Sequence, residues 1–309
     1  MKLFTLTSND SGQSLFKFLS KVLYNAPDSL IYKSIRKGRI RINGKKTADK
    51  SVILNTNDKL EVYINDEFFE TIDNPIHKAS GNIFVVYEDA HILICDKPQG
   101  QLSHPDENEN VNTLITNAQK YLLTKGEYDP QLENSFAPSL CHRLDRNTRG
   151  LVIVAKTFDA LKIITEAIKK RCITKKYLCK INGHIADGIY KAYLTKNNDN
   201  QVIVFDREVP SSKEIITEVK NEENNLLQIT LHTGRTHQIR AHLAYLGCPI
   251  VGDNKYGDYK LNKELNIYRQ LLCAYSLTFD TLPEPLAYLS NKIIELDKSE
   301  LNEFFSTNN

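Results

Sequence analysis

A charged loop that runs directly into an apolar strand is the feature that most limits how this chain can fold. Residues 141–156 read C-H-R-L-D-R-N-T-R-G-L-V-I-V-A-K. The β-branched run from Leu151 to Ala155 predicts a buried strand, and a loop that enters such a strand can hold a reactive side chain still. The candidate is Asp145, which lies between Arg143 and Arg146. An Asp that is only ion-paired to its neighbours is an equally good interpretation of this stretch alone.

A second segment, Leu231 to Leu243, reads L-H-T-G-R-T-H-Q-I-R-A-H-L and contains no acidic residue. Its polar side chains are three His together with Arg235, Gln238 and Arg240. Thr236 is a candidate cap for a helix that runs to about residue 246. Cations at a helix start form an anion site, which suits a phosphate or a carboxylate brought from elsewhere in the fold. Arg240 is therefore a natural partner for Asp145, and a solvated basic face is the alternative.

The remaining pattern has strands in runs rather than in strict alternation with helices. Predicted strands cover 83–87, 92–95, 151–155, 176–182, 202–205, 214–219, 226–232, 271–279 and 287–289. Predicted helices cover 110–124, 159–171 and 238–245. This order indicates an α+β fold with a largely antiparallel sheet, and the domain begins near residue 82.

The N-terminal region has a separate pattern with a local positive charge. The net charge of the chain is only +2, but residues 33–50 hold eight Lys or Arg against one acid. We expect a helix capped by Asp10 or Ser11, a second helix over 29–37 that ends at Gly38, and a hairpin that turns at Asn43-Gly44. A last strand covers 59–64. The exposed cations of the hairpin region are candidates for RNA binding, with a solvated face as the alternative: Arg36, Arg39, Arg41, Lys45 and Lys46.

Composition excludes several other classes of protein. The 309 residues are 41% hydrophobic and 25% charged, as in soluble globular proteins. No apolar run approaches the roughly 20 residues of a membrane span. The N-terminus turns polar too early for a secretory signal, and the six Cys form no C-x-x-C pair, so we expect a cytoplasmic protein with reduced thiols. No ligand set has zinc-like spacing, so we expect no metal site.

Four motifs, in order, resemble those of the RluA family of RNA pseudouridine synthases. H-R-L-D-R-N-T-R-G-L at 142–151 resembles the catalytic motif of the family. T-G-R-T-H-Q-I-R-A-H-L at 233–243, followed by G-C-P-I-V-G-D-N-K-Y-G-D, resembles its C-terminal motif. I-L-I-C-D-K-P-Q-G-Q-L-S-H-P at 92–105 and K-K-Y-L-C-K-I-N-G at 175–183 resemble the other two.

The resemblance implies a fold and a division into domains. It implies a central mixed sheet with the active-site cleft across it. Helix, helix, basic hairpin and strand resemble the small RNA-binding domain of the ribosomal-protein S-four type, which many bacterial members carry at this position. We therefore expect an RNA-binding domain at 1–65, a linker at 66–81 and a catalytic domain at 82–309.

The resemblance implies an isomerisation without redox change or net hydrolysis, so we expect no cofactor. It also implies roles for particular residues. Asp145 matches the catalytic Asp, Tyr177 matches the active-site Tyr, and a salt bridge to Arg240 would keep the carboxylate ionised. Arg143 matches the Arg that fills the gap left by the extruded uridine. Ile239 and Leu243 would form an apolar wall that excludes water. We assign contacts to the backbone phosphates or to the loop itself to four polar residues: His142, Arg146, Arg235 and Lys97. Gln238 is a candidate for RNA binding.

One departure from the family pattern is Arg149, where the family usually has Ser or Thr. It puts the packing of the loop in doubt, or it adds a phosphate contact. The layout resembles the RluC branch and favours 23S ribosomal RNA as substrate of a monomeric enzyme. The same chemistry on another RNA such as tRNA, or a non-catalytic ribosome-assembly factor, remains an alternative.

Overall fold

The structure, a computed structural model, describes residues 1–69, 75–197 and 201–306. Within these ranges the strands form two sheets, one in the N-terminal unit (residues 1–69) and one in the rest of the chain. The N-terminal unit has four strands, in the order β1-β4-β2-β3, and two helices: β1 Lys2–Thr5, α1 Leu15–Val22, α2 Asp28–Arg36, β2 Ile40–Ile42, β3 Lys45–Lys46 and β4 Lys59–Val62.

The predicted hairpin of the N-terminal unit is confirmed. Arg41 pairs with Lys46 across the antiparallel strands, and Asn43 and Gly44 both have positive φ, at 50° and 78°. Two consecutive positive φ angles make the tight turn that matches strand twist, which is why Asn-Gly predicts it. The second predicted helix is also confirmed, within one residue at each end.

The predicted cap of α1 is wrong. Ser14, not Asp10 or Ser11, is the cap, and its hydroxyl accepts from the backbone N–H of Lys17 at 3.4 Å. Asp10 instead ends a short 3-10 helix, Ser8–Asp10, and its carboxylate faces the rest of the chain. Strand β1 is not among the predicted elements.

The larger sheet has eleven strands, of which nine follow the order β11-β10-β12-β13-β9-β14-β8-β6-β5, while β15 pairs with β14 and β7 with β8. The strands are β5 Phe84–Glu88, β6 Ile92–Lys97, β7 Ser139–Leu140, β8 Arg149–Ala155, β9 Ile173–Lys180, β10 Gly188–Lys196, β11 Val202–Phe205, β12 Lys213–Asn221, β13 Leu226–Leu231, β14 Leu272–Phe279 and β15 Ile293–Glu295. Only β14 and β8 pair in parallel within the described residues. The predicted α+β class with a largely antiparallel sheet is confirmed.

Five α-helices follow the N-terminal unit within the described residues. They are α3 Leu114–Thr124, α4 Phe158–Lys169, α5 Gln238–Tyr245, α6 Tyr259–Glu264 and α7 Lys298–Ser306, and further 3-10 helices cover Asp66–Phe69, Pro75–His77, Glu223–Asn225 and Ala287–Leu289. The strand predicted at 287–289 is therefore wrong, because Leu289 reaches the core from a helical turn. Helix α3 begins later than predicted, since Thr113 is its cap. Strand β10 escapes prediction because only Ala192 and Leu194 on it are buried.

Side chains of β8 alternate between the two faces of the sheet. Leu151 and Ile153 belong to a core that α4 and α7 cover, which we call the α7 face. Val152 and Val154 belong to a core that α3 and α5 cover, which we call the α5 face. The period of two along β8 therefore decides which side chains can reach α5.

The predicted linker, 66–81, is described at its two ends. Phe69 packs into the core of the N-terminal unit, whereas Ile76 packs with Leu122 and Tyr128 of the larger part. Residues 70–74 lie outside the described ranges. The domain limits 1–65 and 82–309 stay predictions. No helix in the described ranges has the length and apolar character needed to span a membrane.

Candidate active site

The loop between β7 and β8 brings Asp145 against α5. Arg240 Nη1 donates to Asp145 Oδ2 at 2.9 Å, so the pair expected from two distant segments is present. Gly150 fixes the exit of this loop: its φ is +128°, and a Cβ there would lie 2.2 Å from the carbonyl oxygen of Ala274 on β14. Only glycine allows β8 and β14 to approach so closely. The same glycine therefore anchors the loop that carries Asp145.

A second carboxylate orients the guanidinium of Arg240. Asp253 accepts from Arg240 Nε at 2.7 Å and from Nη2 at 3.0 Å, and its side chain has no solvent exposure. The backbone N–H groups of Lys255 and Tyr256 donate to the same carboxylate. Burial raises the pKa of Asp253, but the bonds and charge of Arg240 outweigh that effect and the pKa is lowered. Asp253 is not among the predicted site residues, although it lies in the G-D-N-K-Y-G-D segment.

His237 is a further neighbour of Asp145 that the sequence analysis does not single out. Its Nε2 lies 3.8 Å from Asp145 Oδ2, and its Nδ1 lies 2.9 Å from the hydroxyl of Tyr256. His237, with a φ of 54°, is the cap residue of α5, so the predicted cap at Thr236 is wrong. Burial lowers the pKa of His237 against the raising effect of Asp145, so the ring is neutral at pH 7.

Tyr177 lies with Asp145 in a small open cleft on the α5 face. The tyrosine is on β9, is only 6% exposed, and its pKa is raised by burial and by the charge of Asp145. Its hydroxyl therefore stays protonated at neutral pH. The apolar residues of the cleft are Ile239, as predicted, and Leu144, Leu231 and Leu272, which are new. The prediction that Leu243 forms part of the apolar wall is wrong, because this residue is fully buried in the core and does not line the cleft.

Two of the predicted cations are open to solvent at the cleft. Arg143 and Arg235 both line the cleft, and both are exposed to solvent. Arg146 Nε donates to the carbonyl of Gly100 at 3.0 Å, and the residue is otherwise exposed. Gln238 cannot serve as predicted, because its amide is fully occupied. Its Oε1 accepts from the Thr233 hydroxyl and the Arg235 N–H, and its Nε2 donates to Ile216 and Thr217.

His142 and Lys97 brace the loop instead of facing the cleft. His142 Nε2 accepts from the backbone N–H of Ile153 at 3.3 Å, and burial holds the pKa of the ring well below its usual value. A neutral, acceptor-bonded ring is a poor phosphate ligand, so of the two contacts predicted for His142 the structure favours the loop over the phosphate. Lys97 Nζ donates to three carbonyls, those of Pro98, Gln101 and Arg146.

Arg149 points away from the cleft, onto the α7 face. Its Nε donates to Asp96 Oδ2 at 2.9 Å, its Nη2 donates to Glu300 Oε2 at 2.9 Å, and its guanidinium lies over the Phe304 ring. The departure from Ser or Thr therefore joins the start of β8 to α7. Neither a disturbed loop nor a phosphate contact follows from it.

The basic hairpin region of the N-terminal unit presents most of its cations to solvent. Arg36, Arg39, Lys45 and Lys46 are exposed. Arg41 is half-buried, with Nη1 at 3.8 Å from Glu61 and its guanidinium over the Tyr63 ring. Arg41 is therefore partly neutralised. In the described ranges no three His, Cys, Asp or Glu side chains are grouped to hold a metal ion.

The family model for RNA pseudouridylate synthase matches residues 91–245, which is half of the chain and includes Asp145, Tyr177 and Arg240. The chain belongs to the RNA pseudouridine synthase family. The enzyme is thus an isomerase that converts uridine to pseudouridine in RNA, and its relatives place it in the RluC-like branch of the RluA family.

Relatives match the synthase along nearly its whole length. A protein named as an RNA pseudouridine synthase of Mycoplasma capricolum is 38% identical, and the match covers 95% of this chain and 97% of the relative. The ribosomal large subunit pseudouridine synthase C of Buchnera aphidicola is 36% identical over 89% of this chain and 88% of its own. The solved structure of human RNA pseudouridylate synthase domain containing 1 has a TM-score of 0.52 at 22% identity, covering 73% of this chain and 96% of the human one, and it supports the fold.

Proposed function

We propose that the synthase isomerises specific uridines of 23S ribosomal RNA, with Asp145 as the catalytic carboxylate. The observation that carries this proposal is the contact of Asp145 with Arg240 at 2.9 Å in a cleft that also contains Tyr177. Relatives named as ribosomal large subunit pseudouridine synthase C support the choice of substrate. We further propose that the enzyme acts as a monomer in the cytoplasm, where ribosomal RNA is its partner.

Asp145 acts on the sugar side of the nucleotide. The bond from ribose C1′ to N1 of the base breaks, the base turns, and C1′ bonds to C5, while the proton of C5 leaves and N1 gains a proton. Asp145 either adds to C1′ or first removes a ribose proton to give a glycal. Both routes need a carboxylate held in place, and the ion pair with Arg240 fixes the position of Asp145.

Tyr177 supports the base while it turns. Its ring lines the cleft and offers a stacking surface. Its hydroxyl stays protonated, so in the late transfer it can only relay the proton of C5, accepting that proton as it releases its own. Ile239, Leu231 and Leu272 exclude water from the same space. Arg143, exposed at the edge of the cleft, would stack in the gap left by the everted uridine, whose extraction costs a few kcal/mol.

The N-terminal unit binds RNA away from the cleft. We propose the ribosomal-protein S-four type of domain for residues 1–65, a linker for 66–81 and the catalytic domain for 82–309. Four exposed cations, Arg36, Arg39, Lys45 and Lys46, support this role, and Arg41 contributes less because Glu61 lies 3.8 Å away.

Mapping pseudouridines across total RNA, in cells with and without the gene, tests the substrate. Loss of a position in 23S ribosomal RNA is the expected result. Loss of a pseudouridine from a tRNA instead would mean that tRNA, not 23S ribosomal RNA, is the substrate. If no pseudouridine is lost, the result would favour a non-catalytic assembly factor. Asp145→Asn, expressed in the deletion cells, should not restore the position, while its RNA affinity should stay within about tenfold of wild type. Restoration by Asp145→Asn would refute the catalytic assignment.

A further inference from the structure

We propose that Asn134 and Ser135 hold the N-terminal unit in one orientation relative to the cleft, so that this orientation helps to select the uridine. The inference depends on the proposed RNA binding by the N-terminal unit. Asn134 and Ser135 lie in the segment between α3 and β7, and their partner is Asp10. We call these three residues the clamp.

The clamp is built around a fully buried carboxylate. Asp10 has no solvent exposure, yet it accepts five hydrogen bonds. Two come from Thr7 within the N-terminal unit. Three come from the larger part: Asn134 Nδ2 at 2.8 Å, Ser135 N at 3.2 Å and Ser135 Oγ at 2.6 Å. A charged group buried this fully is stable only while all these donors are in place, so rotation of the unit would break the set.

Further bonds join the same two surfaces. Gln13, which is 3% exposed, donates to Ser135 Oγ at 2.8 Å. Asn9 donates to Glu133 at 2.9 Å and accepts from the backbone N–H of Phe158 at 3.1 Å. Phe158 is the first residue of α4, so its N–H has no acceptor within the helix. Side chains from the N-terminal unit thus satisfy donors of the larger part. Because hydrogen bonds depend on direction, these contacts fix the orientation of the unit as well as its position.

A fixed unit differs from a tethered one in what it does for RNA. A tethered domain raises the local concentration of RNA but accepts many arrangements of it. A fixed unit holds the basic hairpin and the cleft at one separation and angle, and only a folded RNA that fits both places its uridine at Asp145. Preorganisation of this kind lowers the cost of binding the matching RNA.

Asn134→Ala combined with Ser135→Ala tests the clamp in the full-length enzyme. The side-chain hydrogen bonds that this variant removes cross between the two parts, so the internal bonds of each part remain. Gln131→Ala with Leu132→Ala, two residues of the same segment with exposed side chains, is the matched control. Amide hydrogen exchange at Phe158 reports docking directly, because the acceptor of that N–H is Asn9 of the N-terminal unit. We expect faster exchange in the clamp variant and an unchanged rate in the control.

Kinetics separate orientation from general stability. For a long, folded fragment of the RNA identified by mapping, we expect KM to rise about tenfold in the clamp variant, since a loose unit must be ordered on binding. For a short stem-loop with the same uridine, kcat should match wild type, and modification of other uridines in the long fragment should increase. Unchanged Phe158 exchange, or a KM and site selectivity equal to those of the control, would overturn the inference.

Failure of the underlying proposal has a different signature. Arg39→Ala, Lys45→Ala and Lys46→Ala together should weaken binding of the long fragment and make its salt dependence less steep, by up to about 0.7–0.9 in log–log slope for each phosphate that the variant no longer neutralises. Unchanged affinity and slope in that variant would refute RNA binding by the hairpin, and the clamp inference with it. A weaker slope there, together with a clamp variant that behaves as the control, would refute the clamp alone.

Discussion

Replacing Asp253 by Asn separates the two carboxylates that share Arg240. The change keeps the shape of the side chain and one oxygen acceptor, but it removes a buried charge and places an NH₂ group against the guanidinium. Arg240 would then keep its ion pair with Asp145 and lose the charge of its buried partner. The effect on stability and the effect on activity can be worked out separately.

The cost in stability follows from the burial of the pair. Arg240 is 9% exposed and Asp253 is 1% exposed, and two hydrogen bonds join them. Removing one partner of such a buried pair costs about 3–5 kcal/mol. A typical domain has about 5–15 kcal/mol of stability, so the variant should still fold at low temperature. The effect on activity follows from position. Without Asp253 to orient it, we expect the guanidinium of Arg240 to shift by about 1 Å and to move Asp145 with it, which should lower kcat by about 100-fold with little change in KM.

The assay is a double-mutant cycle with Arg240→Met, read by urea denaturation and by turnover. Asp253→Asn removes the buried counter-charge of Arg240, and Arg240→Met leaves Asp253 buried without a counter-charge. The double variant removes both charges, so its loss of stability should be much smaller than the sum. A coupling energy below about 1 kcal/mol, the range of exposed ion pairs, would refute the reasoning.

The pH dependence gives the cycle a second reading. The pKa of Asp253 is lowered in the folded state, and the ordinary value is 3.8. The stabilisation by ionised Asp253 is therefore present above pH 3.8 and is lost as the pH falls through the lower folded-state pKa. The difference in stability between wild type and Asp253→Asn should shrink in acid. A difference that stays constant from neutral pH down to acid would contradict the assignment.

Two other residues give predictions that separate bracing from chemistry. Arg149→Ser should lower the free energy of unfolding by about 3 kcal/mol or more, because Asp96 stays buried without its partner. Its kcat should be unchanged, because Arg149 lies on the α7 face. Glu300→Gln removes only the exposed partner and should lower the free energy of unfolding by at most about 1 kcal/mol. A large loss of kcat in Arg149→Ser would show that α7 influences the cleft. Lys97→Met leaves three carbonyls without their donor, and each should lower the free energy of unfolding by about 1–3 kcal/mol. The variant no longer has to bury a charge, and this offsets part of that loss. Burial lowers the pKa of Lys97 to about 8 from 10.5, so wild-type stability relative to Lys97→Met should rise between these two pH values, and denaturation midpoints that keep the same difference across that range would contradict this.

Local signals predict those parts of the fold that short-range geometry decides. Asn43-Gly44 predicts the hairpin because both residues tolerate positive φ. Helix α5 has the predicted bounds, Gln238–Tyr245. The contact of Asp145 with Arg240 follows from charge, since a carboxylate flanked by cations and a helix start without acids are complementary. Each of these inferences needs only a few neighbouring residues.

Polar residues are predicted less well, because tertiary contacts decide whether their atoms are free. The sequence assigns Gln238 to RNA, but four hydrogen bonds to Thr233, Arg235, Ile216 and Thr217 use its amide completely. It assigns Asp10 as a helix cap, whereas that carboxylate faces residues 134 and 135. Ile216 and Thr217 are distant from Gln238 in sequence, as residues 134 and 135 are from Asp10, so packing and not local sequence brings these partners close.

Asp253 matters most for the chemistry because of the charge that it adds. An isolated ion pair of Asp145 with Arg240 would have no net charge. A carboxylate whose charge is cancelled in this way is a poor stabiliser of positive charge. With Asp253 the group has two carboxylates and one guanidinium, and neutral His237 does not cancel the excess. The excess negative charge is expressed at Asp145, because Asp253 is sealed from solvent and presents no accessible oxygen. On the route in which Asp145 adds to C1′, positive charge develops at that carbon as the base departs, so a preorganised negative group there lowers the barrier. Arg240 thus fixes the position of Asp145 without consuming its charge.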